Sequence, residues 1–354
     1  MQNSTVRNLT EKVPITDTSY CCSKYLQYPK SQSNRQEGGL RLVQRYKEPL
    51  AGKPLVTVIT VVYNGAKHIN QCIRSVLEQT YDNIEYIVID GASTDGTLEI
   101  LRAHENEIDY FLSEPDSGIY AAMNKGLRLA SGNYILLLNS DDWYEKTAID
   151  ELTQAAMLSG ADVTHADAKE INKGGRTINI LRGWLHDGIF TRGTPIRHET
   201  MLVRKDIYNK YGYYDESYAI LADYVYIVNL YKGGCTFKHV TQPMLNFRNT
   251  GVSYMSEERR FTERARLFKE IFPFLDEKDL DVMKRRGRLS IDARLQLIHK
   301  HAGKSELFAR SMAYNIADMA KEPETDWKYN ADHYPGRYAN LRAHMRKLFG
   351  INPR

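Results

Sequence analysis

Three aspartates stand directly behind runs of apolar residues: Asp90 follows EYIVI, and Asp141 and Asp142 follow YILLLNS. If the two runs are neighbouring parallel strands, these carboxylates converge on one edge of a sheet. Close carboxylates repel and raise one another's pKa unless a cation sits between them, so such a cluster suits Mg²⁺ or Mn²⁺ bridging two phosphates. A plainer description also fits: Asp90 opens the turn GASTDG, and Asp141-Asp142 cap a helix starting near Glu145. The absence of a His-rich or Cys-rich ligand set argues against zinc. The four cysteines, Cys21, Cys22, Cys72 and Cys235, form no CxxC pair and point to a reducing compartment or to thiols that merely pack.

Pattern identifies the elements that would position these carboxylates. LVTVITVVY from Leu55 is β-branched and almost continuously apolar, as a strand buried on both faces must be. Ile69, Cys72, Ile73, Val76 and Leu77 share one helical stripe within residues 68–79, and EYIVIDG is then a second buried strand. A helix from Thr94 to about His104, a strand in IDYFLSE, a helix from Ile119 to Ala130 and a strand in NYILLLN continue the alternation. That order implies an α/β fold with a mostly parallel sheet flanked by helices, and right-handed crossovers put the carboxyl ends of the strands on one ligand-binding edge. Further helices are predicted near Ile149–Ser159, Lys205–Tyr211 and Asp223–Lys232, with short strands around Val163–Ala166 and Glu199–Val203.

Residues 1–52 are polar and aperiodic and read as a flexible arm, residues 53–253 as the catalytic domain, and residues 254–354 as a helical, basic extension with helices over Glu257–Phe272, Asp279–His299 and Lys304–Lys321. The 354 residues carry a formal charge of only +4, too little for the dense basic face of a nucleic-acid binder. Residues 251–354 hold 21 Lys+Arg against 15 Asp+Glu, and Leu341, Met345 and Leu348 share a stripe beside Arg342, Arg346 and Lys347, so a peripheral membrane contact is expected there. No apolar run approaches the roughly 20 residues of a spanning helix, and MQNSTVRNLTEK does not read as an export signal.

Taken together, VTVITVVYNG, VIDGASTDGT and SEPDSGIYAAMNKGLRLASGNYILLLNSDDWY resemble the inverting glycosyltransferases of family two, over about residues 54–253. The resemblance implies the GT-A fold, a nucleoside-diphosphate sugar donor with UDP favoured, Mg²⁺ or Mn²⁺, and transfer with inversion to a hydroxyl of a glycan or lipid-linked acceptor in surface polysaccharide synthesis. The lack of an export signal, together with where nucleotide sugars are made, leads us to expect a cytoplasmic location, peripheral at the inner membrane face, and the resemblance implies roles for individual residues. Val61, Tyr63 and Asn64 would hold the nucleotide, with Tyr63 stacking on the base; Asp90 would accept from base or ribose; Asp116, Asn124 and Lys125 would face the diphosphate. Asp141 would lie near ribose and metal, and Asp142 would be the best metal ligand. Asp223 in YDESYAILADYVYIVNL matches the catalytic base, His198 a histidine near diphosphate or acceptor, Arg248 a phosphate-holding guanidinium, and Asp215 an organiser of the acceptor-side loop.

Two departures stand out: Ala121 and Asn139 occupy places where such sequences commonly have Asp. They motivate a rival, a sugar-nucleotide-binding protein that has lost catalysis. A nucleotidyltransferase is a further alternative, though VVYNGAKH is not the Gly-rich loop such an enzyme needs.

Overall fold

The computed structural model describes residues 35–248, 257–283, 291–301 and 303–319. The chain divides into two compact units, Met1–Gly183 with Ile196–Met255, and Trp184–Pro195 with Ser256–Arg354.

The first unit is built on one ten-stranded mixed sheet. Its strands are β1 (Gln36–Gly38), β2 (Val56–Val62), β3 (Ile84–Asp90), β4 (Tyr110–Ser113), β5 (Tyr134–Asn139), β6 (Trp143–Tyr144), β7 (Val163–Ile171), β8 (Thr177–Leu181), β9 (Leu202–Arg204) and β10 (Phe237–Arg248). They lie in the order β1-β4-β3-β2-β5-β9-β7-β10-β6, with β8 paired to β7. The pairs β4/β3, β3/β2, β2/β5 and β7/β10 are parallel, and the short flanking pairs are antiparallel.

Every residue of β2 and β3 is buried, which explains why β-branched and aliphatic residues predominate in them. The helices of this unit are α1 (Ile69–Leu77), α2 (Thr97–Ala103), α3 (Ile119–Leu129), α4 (Ala148–Ser159), α6 (Lys205–Tyr211) and α7 (Ala222–Lys232), while α5 (Ile189–Arg192) belongs to the second unit. α3 approaches β2 closely at Gly126, where a Cβ would stand 2.3 Å from Ile59 Cγ2, so a side chain there would push the helix off the sheet.

Residues 35–52, expected within a flexible arm, are instead docked on this sheet. β1 pairs with β4, and Arg41 and Lys47 are buried. Arg41 Nη2 donates to Glu85 Oε1 at 2.5 Å and to Leu129 O at 3.1 Å, while Lys47 donates to Asp109 and to the Ile84 carbonyl. Glu85 also accepts from Thr57 Oγ1 at 2.6 Å and from the Ser131 amide at 2.8 Å. Burial raises the Glu85 carboxyl, yet Arg41 and these donors hold it below the ordinary carboxylate range. Composition hid this docking, because the segment anchors through two buried cations rather than an apolar stripe. Arg41→Met should therefore cost about 3–5 kcal/mol in urea unfolding, since it strands a buried carboxylate; a loss under about 1 kcal/mol would mean that the Thr57 and Ser131 bonds suffice.

Other boundaries shifted for local reasons. STDG forms a loop instead of the first turn of α2, which begins at Thr97. The strand expected at Glu199–Val203 is a 3₁₀ turn, His198–Thr200, followed by β9. β10 was absent from the sequence reading because FKHVTQPMLNFR is polar and contains Pro243, where the β7/β10 register shifts.

The second unit is helical: α5 (Ile189–Arg192), α8 (Glu257–Ile271), α9 (Glu277–Met283), α10 (Ile291–His301) and α11 (Glu306–Met319). Trp184–Pro195 thus belongs with these helices, although the sequence placed it in the catalytic domain. Arg310 pairs with Asp187, and Asn315 Nδ2 donates to Thr191 Oγ1 at 2.6 Å. Among the described residues no helix is long and apolar enough to cross a membrane. The stripe Leu341, Met345 and Leu348 lies outside the described residues.

Candidate active site

The parallel register brings the expected carboxylates to one edge: Val62 aligns with Asp90, Asp90 with Ser113, and Val61 with Asn139. Val61 is buried in the sheet, and the chain turns outward immediately after it, leaving Tyr63 68% exposed. Asn64 has φ 50°, a left-handed conformation that Asn tolerates. Its amide donates to Ser93 Oγ at 2.7 Å and its side-chain oxygen accepts from the Thr94 amide at 2.9 Å. Asn64 therefore latches the loop after β2 to the loop after β3. Gly91 lies under Tyr63 and Asp116; an added Cβ would stand 2.9 Å from Asp116 Oδ2.

Several residues assigned to the donor by resemblance are occupied by the protein itself. Asp90 is fully buried and accepts from Ser93 Oγ, from the Ser93 amide at 3.1 Å and from Ser113 Oγ at 2.6 Å, so it organises the loop beneath the exposed surface. Asn124 is buried and holds Tyr214 through both backbone groups, at 2.9 and 3.0 Å, and Glu216 at 2.9 Å. Lys125 pairs with Glu114 at 2.9 Å and donates to Pro115 O at 3.0 Å. These two residues brace the loops on either side of α3. Asp116 accepts from the Gly118 amide at 2.9 Å, and burial raises its carboxyl. Ala121 is buried within α3. Asp215 accepts from the Ser217 amide at 2.9 Å and shapes its own turn.

A second group gathers at the carboxyl end of β5. Asp142 is buried; its Oδ1 accepts from the Arg248 amide at 2.8 Å, while its Oδ2 has no hydrogen-bond partner. Burial, Glu199 and Asp141 together push the Asp142 carboxyl well above the ordinary range. Asp141 is raised as well, by burial first and then by Glu199. The Arg248 guanidinium donates to Asp141 O at 2.9 Å and Gln71 Oε1 at 2.6 Å and lies over the Trp143 ring, so here it shapes the turn.

Glu199, which the sequence reading passed over, completes this group. It is 2% exposed, its Oε1 accepts from Asn139 Nδ2 at 2.7 Å, and its Oε2 has no hydrogen-bond partner. Only its adjacency to His198 could have flagged it. His198 Nδ1 lies 3.3 Å from Asp223 Oδ2 and 3.5 Å from Glu199 Oε2. Burial lowers the His198 imidazole, but the Glu199 and Asp223 carboxylates outweigh it and raise it overall. Asp223 sits in the first turn of α7 and accepts from Tyr120 Oη at 3.0 Å. Burial raises its carboxyl, and bonds from His198, the Tyr224 amide and Tyr120 bring it below the ordinary value. Asp223 is thus held toward its ionised form, with a 16% exposed side chain 3.3 Å from His198, the state a proton acceptor requires.

Among the described residues no three His, Cys, Asp or Glu side chains converge on a metal position. The buried oxygens of Asp142 and Glu199 that have no hydrogen-bond partner nevertheless fit a cation carried in by a diphosphate, because Mg²⁺ is usually held by one or two carboxylates plus substrate phosphates.

Part of the chain is similar to known proteins. Residues 57–213 match the family described as Glycosyl transferase family 2. The chain is 34% identical over 121 residues to "Glycosyltransferase GlyA" of Streptococcus pneumoniae, covering 33% of this chain and 17% of that protein. It is 30% identical over 220 residues to "Chondroitin synthase" of Escherichia coli, covering 58% of this chain and 31% of that protein. The chain thus spans less than a third of the length of either relative. A mannosyltransferase from Pyrobaculum calidifontis, solved with GDP-Man and Mn²⁺, shares the fold at a TM-score of 0.50 and 18% identity, over 87% of this chain and 90% of that one. The mostly parallel sheet with its flanking helices has the GT-A fold, and a helical carboxyl-terminal region is present. Residues 57–213 of this chain are therefore similar to the glycosyl transferase family 2 domain.

Proposed function

We propose that the protein transfers a glycosyl group from a nucleoside-diphosphate sugar to a hydroxyl of a glycan or lipid-linked acceptor, with inversion, in the synthesis of a surface polysaccharide. The observations that support this reading are the buried Asp142 in the turn after β5, within the segment that matches family 2, and Asp223, whose carboxylate lies 3.3 Å from His198 and is held below its ordinary value by its hydrogen bonds. The acceptor hydroxyl gives its proton to Asp223, its oxygen forms the new bond to the anomeric carbon, and the bond from that carbon to the diphosphate oxygen breaks. His198 and Tyr120 orient the Asp223 carboxylate. A divalent cation, Mg²⁺ or Mn²⁺, supplies charge stabilisation for the departing diphosphate when bound, and Asp142 with Asp141 would hold it. Tyr63 offers the face on which the base stacks, and Asn64 and Asp90 keep its loop in place. Work at the cytoplasmic membrane face, where nucleotide sugars meet lipid-linked acceptors, follows from this reading.

Incubation with a panel of nucleotide sugars, Mg²⁺ or Mn²⁺ and candidate acceptors should release nucleoside diphosphate. Donor-induced stabilisation without any release, across all donors and acceptors, would instead favour a binding protein. Tyr63→Ala should weaken nucleoside-diphosphate binding by about 1–3 kcal/mol in calorimetry, the worth of one base–aromatic stack. Unchanged affinity would remove Tyr63 from the donor site.

A further inference from the structure

We propose that Glu199 is a cation-facing carboxylate of this site, reaching Asp142 from the 3₁₀ turn before β9 and held in place by Asn139. The inference rests on the metal-assisted reading above. Continuous contacts lead from the one acid to the other: the Asp142 amide donates to Asn139 O at 3.1 Å, and Asn139 Nδ2 donates to Glu199 Oε1 at 2.7 Å. From the other side, Tyr144 Oη donates to Glu199 O at 2.6 Å, which pins the turn to the end of β5.

A purely architectural role does not require this residue. Gln at 199 would accept equally well from Asn139, and it would avoid burying a carboxylate with an oxygen that has no hydrogen-bond partner. The charge balance around it is also unmet. Asp141, Asp142, Glu199 and Asp223 face His198, Arg197 and Arg248, and the Arg248 guanidinium is engaged with Gln71 and the Asp141 carbonyl. A buried surplus of negative charge of this kind becomes favourable when a cation joins it.

The Asn139–Glu199 bond supplies a test that does not depend on turnover. In Asn139→Asp/Glu199→Gln the amide and the carboxylate exchange places: the hydrogen bond reverses, the net charge is kept, and the acid moves to the end of β5. Binding of Mn²⁺ in the presence of UDP or GDP is followed by electron paramagnetic resonance, with thermal melts as the folding control. Glu199→Gln should weaken Mn²⁺ binding on the order of 10–100-fold, while the double variant recovers most of it. Wild-type Mn²⁺ affinity in folded Glu199→Gln overturns the inference and leaves the metal reading standing. Failure of the folded double variant to recover affinity also overturns it. If Glu199→Gln does not fold, the double variant alone decides. Wild-type protein that binds the nucleotide but no Mn²⁺ would refute the metal reading itself, and the inference with it.

Discussion

Asp223→Asn is expected to slow glycosyl transfer on the order of 10²–10⁴-fold while leaving the affinity for nucleoside diphosphate and cation at the wild-type level. The substitution keeps the shape of the side chain and its bond from Tyr120, so the loss reports the missing proton acceptor. Single-turnover rates together with calorimetric donor affinity make the check, and an equal loss of donor binding would place Asp223 in the nucleotide pocket instead. The pH profile adds a sign. The Asp223 carboxyl lies below its ordinary value of 3.8, so lowering the pH from 8 to 5 does not protonate it, and this group imposes no acid limb there. Removing His198 takes away the principal partner that offsets burial, so in His198→Gln an acid limb should move upward in pH.

Asp142→Asn should cost on the order of 10²–10³-fold in turnover, the usual effect of losing one preorganised stabiliser of developing charge, and should abolish the metal-dependent part of donor binding. Its stability should move the other way. Asn keeps an oxygen for the Arg248 amide and removes a charge that burial, Glu199 and Asp141 all disfavour. In chelator-treated protein at neutral pH the variant should therefore melt no lower than the wild type. The linkage has a definite sign: a carboxyl raised in the folded state binds protons there that the unfolded chain releases, so this contribution to stability falls as pH rises from 3.8 through the raised value. Asp142→Asn should lack that decline. A variant with full turnover, or one that melts well below wild type at every pH, would contradict this account of the residue.

The sequence alone determined the half of the fold whose signal is local. β2, β3 and β5 read as strands because burial on both faces demands unbroken β-branched and aliphatic runs. α1 and α3 were legible for a related reason, a one-sided apolar stripe. Because these strands run parallel, chain order was enough to bring Asp90 and the Asp141-Asp142 pair to one edge. The family resemblance also marked Asp223 and His198, although their spacing of 25 positions carries no information about contact.

Tertiary structure decided what depended on partners distant in the chain. Asp90, Asn124 and Lys125 have the chemistry of donor ligands, yet Ser93 and Ser113, Tyr214 and Glu216, and Glu114 respectively engage them. Glu199 looks like an ordinary polar residue in HET until the fold buries it against Asn139, 60 positions away. The segment 35–52 has no periodicity, and it docks because Arg41 and Lys47 meet Glu85 and Asp109 beneath the sheet. A buried polar group is specified by its hydrogen-bond partner, and when that partner lies tens of residues away no local pattern encodes the pairing.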